Sequence, residues 1–158
     1  MKIIDYKKAF EYAKLNYPEF PSDWCITPHF TWNEAFKNET KEYGLPAIEI
    51  FRQLTLVFAK LEDIRVKLNK PINVHCAFRS RKHNEVLKKQ GYNPAMHSSH
   101  LYGMAIDFDV QGMTMGAVRG FILKEGLKVR IEANTPNWTH IDIGNPYTNN
   151  YKWGVFQP

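Results

Sequence analysis

An α+β fold, with a mainly antiparallel sheet carrying helices on one face and a polar cleft on the other, is what this sequence predicts. Three observations point to the architecture: four short segments alternate apolar and polar residues, one long segment carries an apolar stripe at helical spacing, and Gly, Pro and hydroxyl residues punctuate the intervals.

Taken in order, Asp5 to Asn16 suits a short helix capped by Asp5, and Pro18 to Pro28 reads as a Pro-rich connection. Thr31-Trp32-Asn33-Glu34 has capping-box spacing, in which the hydroxyl and the carboxylate each satisfy an orphan amide at a helix start. From Pro46 to Leu68, Ile48, Phe51, Leu54, Phe58, Leu61, Ile64 and Leu68 recur every three or four positions, so one face of a long helix is buried. Ser80 can cap a helix running to Gln90 and ended by Gly91; Thr114 can cap another through Lys124 or Glu125, ended by Gly126.

The strands show which side chains share a face. In Ile72 to Arg79 the apolar set is Ile72, Val74, Cys76 and Phe78, leaving Asn73, His75, Ala77 and Arg79 opposite. Met104 to Val110 turns Met104, Ile106, Phe108 and Val110 inward, with Ala105, Asp107 and Asp109 on the other side. Leu127 to Glu132 sets Leu127, Val129 and Ile131 against Lys128, Arg130 and Glu132; Trp138 to Ile143 sets Ile141 and Ile143 against Trp138, His140 and Asp142. Antiparallel sheets commonly cover one face and solvate the other. The polar faces therefore hold the chemistry.

Composition bounds the function classes. At roughly 100 to 200 residues per domain, the 158 residues predict one domain spanning 1–158. No apolar run approaches the roughly 20 residues of a membrane-spanning helix, so no membrane insertion is expected, and the opening Met1-Lys2-Ile3-Ile4-Asp5 lacks the pattern of a secretory signal. The net charge of +5 favours polyanionic surroundings. Nucleic acid is not the expected partner, because the basic residues are scattered among acids and no strand shows a basic, aromatic stacking face. Only Cys25 and Cys76 are present, which excludes a thiolate zinc finger and a disulfide scaffold and leaves a single bridge or two free thiols.

Six histidines, His29, His75, His83, His97, His100 and His140, offer metal ligands, and a catalytic zinc needs about three N or O donors plus an open position. His100 lies in a polar loop seven residues before Asp107 on a strand's polar face, and His140 lies on the polar face of the last of the four strands. Spacing alone leaves this His, Asp, His trio balanced against surface histidines and a solvated carboxylate. Reading His140-Ile141-Asp142 as part of an iron facial triad fails, because no histidine follows residue 140.

The segment Ser98 to Asp107 matches the Ser-x-His-x-x-Gly-x-Ala-x-Asp signature of the M15 zinc peptidases, and Trp138-Thr139-His140 matches their Trp-x-His element. Pro28-His29-Phe30-Thr31-Trp32-Asn33-Glu34 resembles the opening of the small subgroup, and Ala77-Phe78-Arg79-Ser80 resembles its Gly-Tyr-Arg-Ser. The family includes D-Ala-D-Ala carboxypeptidases, L-Ala-D-Glu endopeptidases of phage lysis systems and, more distantly, the hedgehog signalling domain. The resemblance implies that His100, Asp107 and His140 bind Zn²⁺, that Arg79 and Ser98 contact substrate, and that the substrate is an amide in the peptide stems of peptidoglycan. Trp138 is a further candidate for the substrate-binding wall.

The reaction needs a base. Pairing residue 132 with 138 across the intervening turn puts Glu132, Trp138 and His140 on one face, with Glu132 and His140 as diagonal neighbours about 7 to 8 Å apart, and Glu132 resembles the glutamate that precedes the second histidine in part of the family. Many relatives carry an acid three residues before that histidine, where this chain has Asn137. Asp142 is the reserve base, with orientation of His140 as its alternative use. A protein made in the cytoplasm without a signal and acting on the wall fits a phage or prophage lysin, working as a monomer. The competing reading is an inactive, zinc-stabilised binding domain, which measured hydrolysis would separate from an enzyme.

Overall fold

The computed structural model describes residues 1–157 and has the expected α+β architecture. It opens with a small sheet absent from the sequence reading: β1 (Lys2–Ile3) pairs in parallel with β2 (Trp24–Thr27), and β2 pairs antiparallel with β3 (Phe30–Thr31). Strands of two residues, such as β1 and β3, are too short to register as alternation. Between them, α1 (Tyr6–Asn16) starts where Asp5 accepts hydrogen bonds from the amides of Lys7 and Lys8. The short α2 (Trp32–Ala35) has the full capping box, with Thr31 and Glu34 each accepting from the other's amide.

The long helix α3 (Ile48–Leu68) buries Phe51, Leu54, Val57, Phe58, Leu61 and Ile64. Five of these belong to the predicted stripe that ran on to Leu68, and Val57 widens it to the usual three or four apolar positions per two turns. An aromatic cluster fills the space between α1, α2 and α3, where Phe51 meets Phe10, Phe20, Trp32 and Phe36 at centroid distances of 4.8 to 6.4 Å. Truncating such a fully buried ring removes its transfer free energy and leaves a cavity. Phe51→Ala is expected to cost about 3 to 5 kcal/mol, read as a lowered midpoint in urea at an unchanged slope.

The main sheet contains β4 (Ile72–Cys76), β5 (Ala105–Val110), β6 (Arg130–Glu132), β7 (Thr139–Asp142) and β8 (Gly154–Phe156), in the spatial order β4-β5-β7-β6-β8. All neighbours are antiparallel except β6 and β8, which run parallel. Val74, Ile106, Phe108, Val110, Ile131 and Ile141 form the buried apolar face and join one core with α3 and with Val118 and Ile122 of α5 (Met115–Lys124). Ser80 and Thr114 cap α4 (Arg81–Lys89) and α5 through their hydroxyls, as expected. Both cysteines are free. Among the described residues, no helix is long and apolar enough to cross a membrane.

Two strand predictions need correction. The first segment does not continue to Arg79: β4 ends at Cys76 after a register shift between Val74 and Cys76, which pairs Cys76 with Asp107. An extra residue in one strand reverses the alternation beyond it, so Cys76 leaves the apolar set and joins the polar face. The chain departs because its next groups serve another segment, with the Ala77 carbonyl accepting from His100 Nδ1 and the Arg79 amide donating to the His100 carbonyl. The second correction is register. Residue 132 does not pair with 138; Arg130 pairs with Asp142 and Ile131 with Ile141, so continuing the ladder places Glu132 opposite His140 itself. The Ala133 amide is taken by the Phe156 carbonyl of β8, and Arg119 holds the Thr135 hydroxyl at 3.2 Å, so the excursion between β6 and β7 is longer than a tight turn.

Candidate metal centre

Across the polar face of the main sheet one row runs Cys76, Asp107, His140, Glu132, Phe156, a residue from each strand. The neighbouring row runs Ala105, Asp142, Arg130, Gly154. His100 is delivered from above by a 3₁₀ turn, Ser99–Tyr102, whose start is capped by the Ser98 hydroxyl accepting from the His100 amide at 3.3 Å. Gly103 ends that turn at φ +65°, and a Cβ there would lie 2.9 Å from the Ile50 carbonyl oxygen. Only glycine combines this left-handed backbone with so close an approach to α3, so the turn that carries His100 is seated against the core.

His100, Asp107 and His140 bring their ligand atoms within 4.8 Å of one another. His100 Nε2 lies 3.2 Å from Asp107 Oδ2, and His140 Nδ1 lies 2.7 Å from Asp107 Oδ1. The far nitrogen of each ring has its own acceptor: His100 Nδ1 donates to the Ala77 carbonyl at 2.7 Å, and His140 Nε2 meets Asp142 Oδ2 at 3.3 Å. A hydrogen bond on one ring nitrogen sets the tautomer and turns the lone pair of the other toward the ligand. Two lone pairs and a carboxylate thus converge from three elements. This N, N, O donor set fits a divalent cation of the zinc type.

Electrostatics agree with the geometry. Burial pulls His100 and His140 toward the neutral form, but the Asp107 carboxylate outweighs it and holds both imidazoles above their ordinary value. Burial likewise pushes Asp107 up, and the imidazoles reverse that, holding it well below the usual carboxylate range. Protons and a cation compete for the same lone pairs. Metal affinity should therefore fall as pH drops, because the raised imidazoles protonate first, and loading near neutrality should release protons, measurable by calorimetry in buffers of different ionisation enthalpy.

Asp142 is only 1% exposed. Its oxygens are engaged by the Gly144 amide at 2.9 Å, by His140 Nε2 and by the Arg130 guanidinium, with Nε 3.4 Å away. Its oxygens already face protein donors, an arrangement that suits the orienting use named for Asp142 beside its reserve role as base. Asp142→Asn is expected to weaken metal binding by about 10- to 100-fold, measured by competition with a chelating dye.

Glu132 is half-buried and, among the described residues, its carboxylate has no hydrogen-bond or ion-pair partner. It shares a cleft of about 430 Å³ with His140, Asp142, Ser98, Arg130 and Phe156. Phe156, on a strand the sequence reading did not predict, stands 6.0 Å from the His140 ring in an edge contact and forms the wall. Trp138 is half-buried just outside β7; the register puts it on His140's face, on the side away from Arg130, and it does not line this cleft. Arg79 lies in the loop after β4, tied to His100 through its amide, with a buried Nε that has no acceptor among the described residues. Cys76 was missed by the sequence reading: its Sγ stands 3.8 Å from His100 Nδ1. No signal in the sequence marks the bulge that turns it there.

The other histidines are accounted for. His75 Nε2 lies 2.9 Å from Asp109 at the surface, His29 Nδ1 lies 2.6 Å from Glu62, and His97 stacks on Tyr147. A second cavity, of about 450 Å³, opens beside Tyr17 and Glu39. Its buried carboxylate is already taken by His83 Nδ1 at 2.7 Å and the Ser80 amide at 3.2 Å, which makes it a structural tie for α4.

A search among curated proteins finds no match. The family model described as Peptidase M15 matches residues 28–142, a stretch that begins ahead of the capping box of α2 and ends at Asp142. The matched stretch covers most of the chain and contains all three converging ligands, Arg79, Ser98 and Glu132, and the chain belongs to the M15 peptidase family.

Proposed function

We propose that this peptidase is zinc-dependent and hydrolyses amide bonds in the peptide stems of peptidoglycan. The convergence of His100, Asp107 and His140 beside an unpaired Glu132 carboxylate carries the reading. Zinc, held by His100 Nε2, Asp107 and His140 Nδ1, would supply Lewis acidity toward a substrate carbonyl and acidify a water. Glu132 takes the proton from that water and returns it to the leaving amine. Asp142 and the Ala77 carbonyl fix the two imidazoles against rotation. Arg79, whose backbone amide is tied to the His100 carbonyl and whose buried Nε lacks an acceptor among the described residues, would bind substrate oxygen. Ser98 lines the cleft while capping the turn that delivers His100, so its hydroxyl serves position as well as contact.

Support for a wall substrate comes from the resemblance to carboxypeptidases and lysis endopeptidases and from the net charge of +5, which suits an anionic polymer. Incubating the zinc-loaded protein with purified peptidoglycan, with and without chelator, and weighing the released fragments tests it. Chelator-sensitive release of stem-peptide fragments is the expected result. A loaded, folded protein that releases none is the binding-domain outcome and overturns the proposal.

A further inference from the structure

The cleft has a rim that the chemistry above leaves unused. One of its walls is the loop between β7 and β8, which contributes Asn145, Thr148 and Asn150 to the lining. From Gly144 to Trp153 this loop carries three aromatics, three asparagines and a single charge, Lys152, in a chain with 23% charged residues. Tyr147, Tyr151 and Trp153 are 60%, 45% and 49% exposed. Scattered exposed apolar side chains are ordinary, whereas three large rings so close in sequence on the edge of a cleft mark a binding surface.

Two of the rings are also held still. Tyr147 stacks on His97 at a centroid distance of 3.4 Å and an interplanar angle of 3°, so one of its faces is backed by protein. Tyr151 lies directly on Gly144, where the ring leaves no room for a Cβ. The loop beneath them is tied on several sides. Asn145 Oδ1 accepts from the amides of Tyr147 and Thr148 at 3.0 and 3.3 Å, and its Nδ2 donates to the His97 carbonyl at 2.8 Å. Asn145 and Asn150 exchange backbone hydrogen bonds, and Arg130 Nη1 donates to the Asn150 carbonyl at 2.8 Å. Rings ordered in advance lose little side-chain freedom when a ligand arrives. A ring with one face backed and the other open fits the C–H face of a pyranose, while tyrosine hydroxyls and asparagine amides serve its hydroxyl and N-acetyl groups. The near absence of charge on the loop disfavours a polyanion or a charged peptide as occupant.

We infer that Tyr147 and Tyr151 bind the glycan strand of peptidoglycan, taking an N-acetylated sugar on their open faces while the peptide stem that the sugar carries enters the cleft. This rests on the wall-peptidase reading and extends it from the stem to the polymer behind it. The spacing suits a tethered ligand. Gly144 lies four residues beyond His140, and the Ile143 amide still pairs with the Met104 carbonyl. At about 3.3 Å per residue the rim therefore stands about 13 Å from the row of metal ligands. The stem is covalently joined to its sugar, and an extended chain covers that distance in about four residues at roughly 3.3 to 3.6 Å each. A scissile amide in the cleft and a sugar at the rim can be held together, and the tether gives the second contact a high effective concentration.

The test compares hydrolysis, by the zinc-loaded protein, of an N-acetylated pentapeptide stem and of the same stem carried on its N-acetylglucosaminyl-N-acetylmuramyl disaccharide. The expected result is a kcat/KM about tenfold or more higher for the disaccharide form, about 1.4 kcal/mol. That ratio should fall to about one in Tyr147→Ala and persist in Tyr147→Phe, which keeps the ring. Because the ratio is taken within each protein, a general loss of activity in a variant does not obscure it. A titration with tetra-N-acetylchitotetraose, which has no stem, gives a reading independent of turnover, and selective shifts of the Tyr147 and Tyr151 ring resonances are expected. Equal hydrolysis of the two substrates overturns the inference, as does a ratio that survives in both Tyr147→Ala and Tyr151→Ala. If neither substrate is cut, the wall-peptidase reading fails and the titration alone decides the glycan site: shifts of the two rings uphold it, and their absence removes it. Self-association that rises with concentration and is abolished by Tyr147→Ala would assign the surface to a second copy of the chain and overturn the inference.

Discussion

Chelation is expected to reduce peptide hydrolysis by at least about a thousandfold, with activity restored by Zn²⁺ in the unaltered protein and not in Asp107→Ala. Lewis-acid stabilisation is worth several kcal/mol, and each 1.36 kcal/mol is a decade in rate, so three decades is the conservative expectation. Asp107 is the decisive residue because both imidazoles address its carboxylate, at 3.2 and 2.7 Å, and because it is the only acid among the converging donors. Without it two buried rings with centroids 5.1 Å apart remain, a site with one ligand too few and no negative charge to offset a dication. β5 keeps its backbone pairing on both sides in the variant, so circular dichroism should report an intact sheet while elemental analysis reports little bound zinc. Full activity with no bound metal, in either protein, would remove the metal from the account.

Glu132→Gln is expected to lower kcat by about 10²- to 10⁴-fold, the usual contribution of a positioned acid–base group, with metal content unchanged. The amide keeps the shape of the side chain but cannot take a proton. Glu132 is suited to the role because it stands opposite His140 on the adjacent strand, lines the cleft and lacks a protein partner among the described residues, whereas Asp142 spends its oxygens on Gly144, His140 and Arg130. Glu132→Asp should recover part of the loss, since it restores the proton acceptor at a shorter reach. Undiminished turnover in a metal-replete Glu132→Gln protein would mean that another group moves the proton.

These two tests rest on features with different visibility in the sequence. The converging trio was legible only through resemblance: spacing left it balanced against surface histidines and a solvated carboxylate, and the Ser98 to Asp107 motif with the Trp-x-His element singled it out. The stripe of α3 and the caps Asp5, Thr31, Ser80 and Thr114 were legible from the residues themselves, since helical periodicity and capping act over three or four residues. The position of Glu132 was half legible. Parity put it on the correct face, but its partner depended on the length of the excursion to β7, which Arg119 and the Phe156 carbonyl determine from distant elements.

What the sequence by itself determined is the alternation of apolar and polar residues in each element, and with it a buried face and a chemical face. What only the tertiary structure decided is how those faces are shifted and joined: the bulge that turns Cys76 toward His100, the parallel β8 that brings Phe156 over the cleft, and the burial of Arg130 beside Asp142. The reason is physical. Alternation is set by the covalent chain and repeats every two residues, whereas register, bulges and edge-strand pairing are set by backbone hydrogen bonds and contacts between residues far apart in sequence, and a slip of one residue exchanges the two faces.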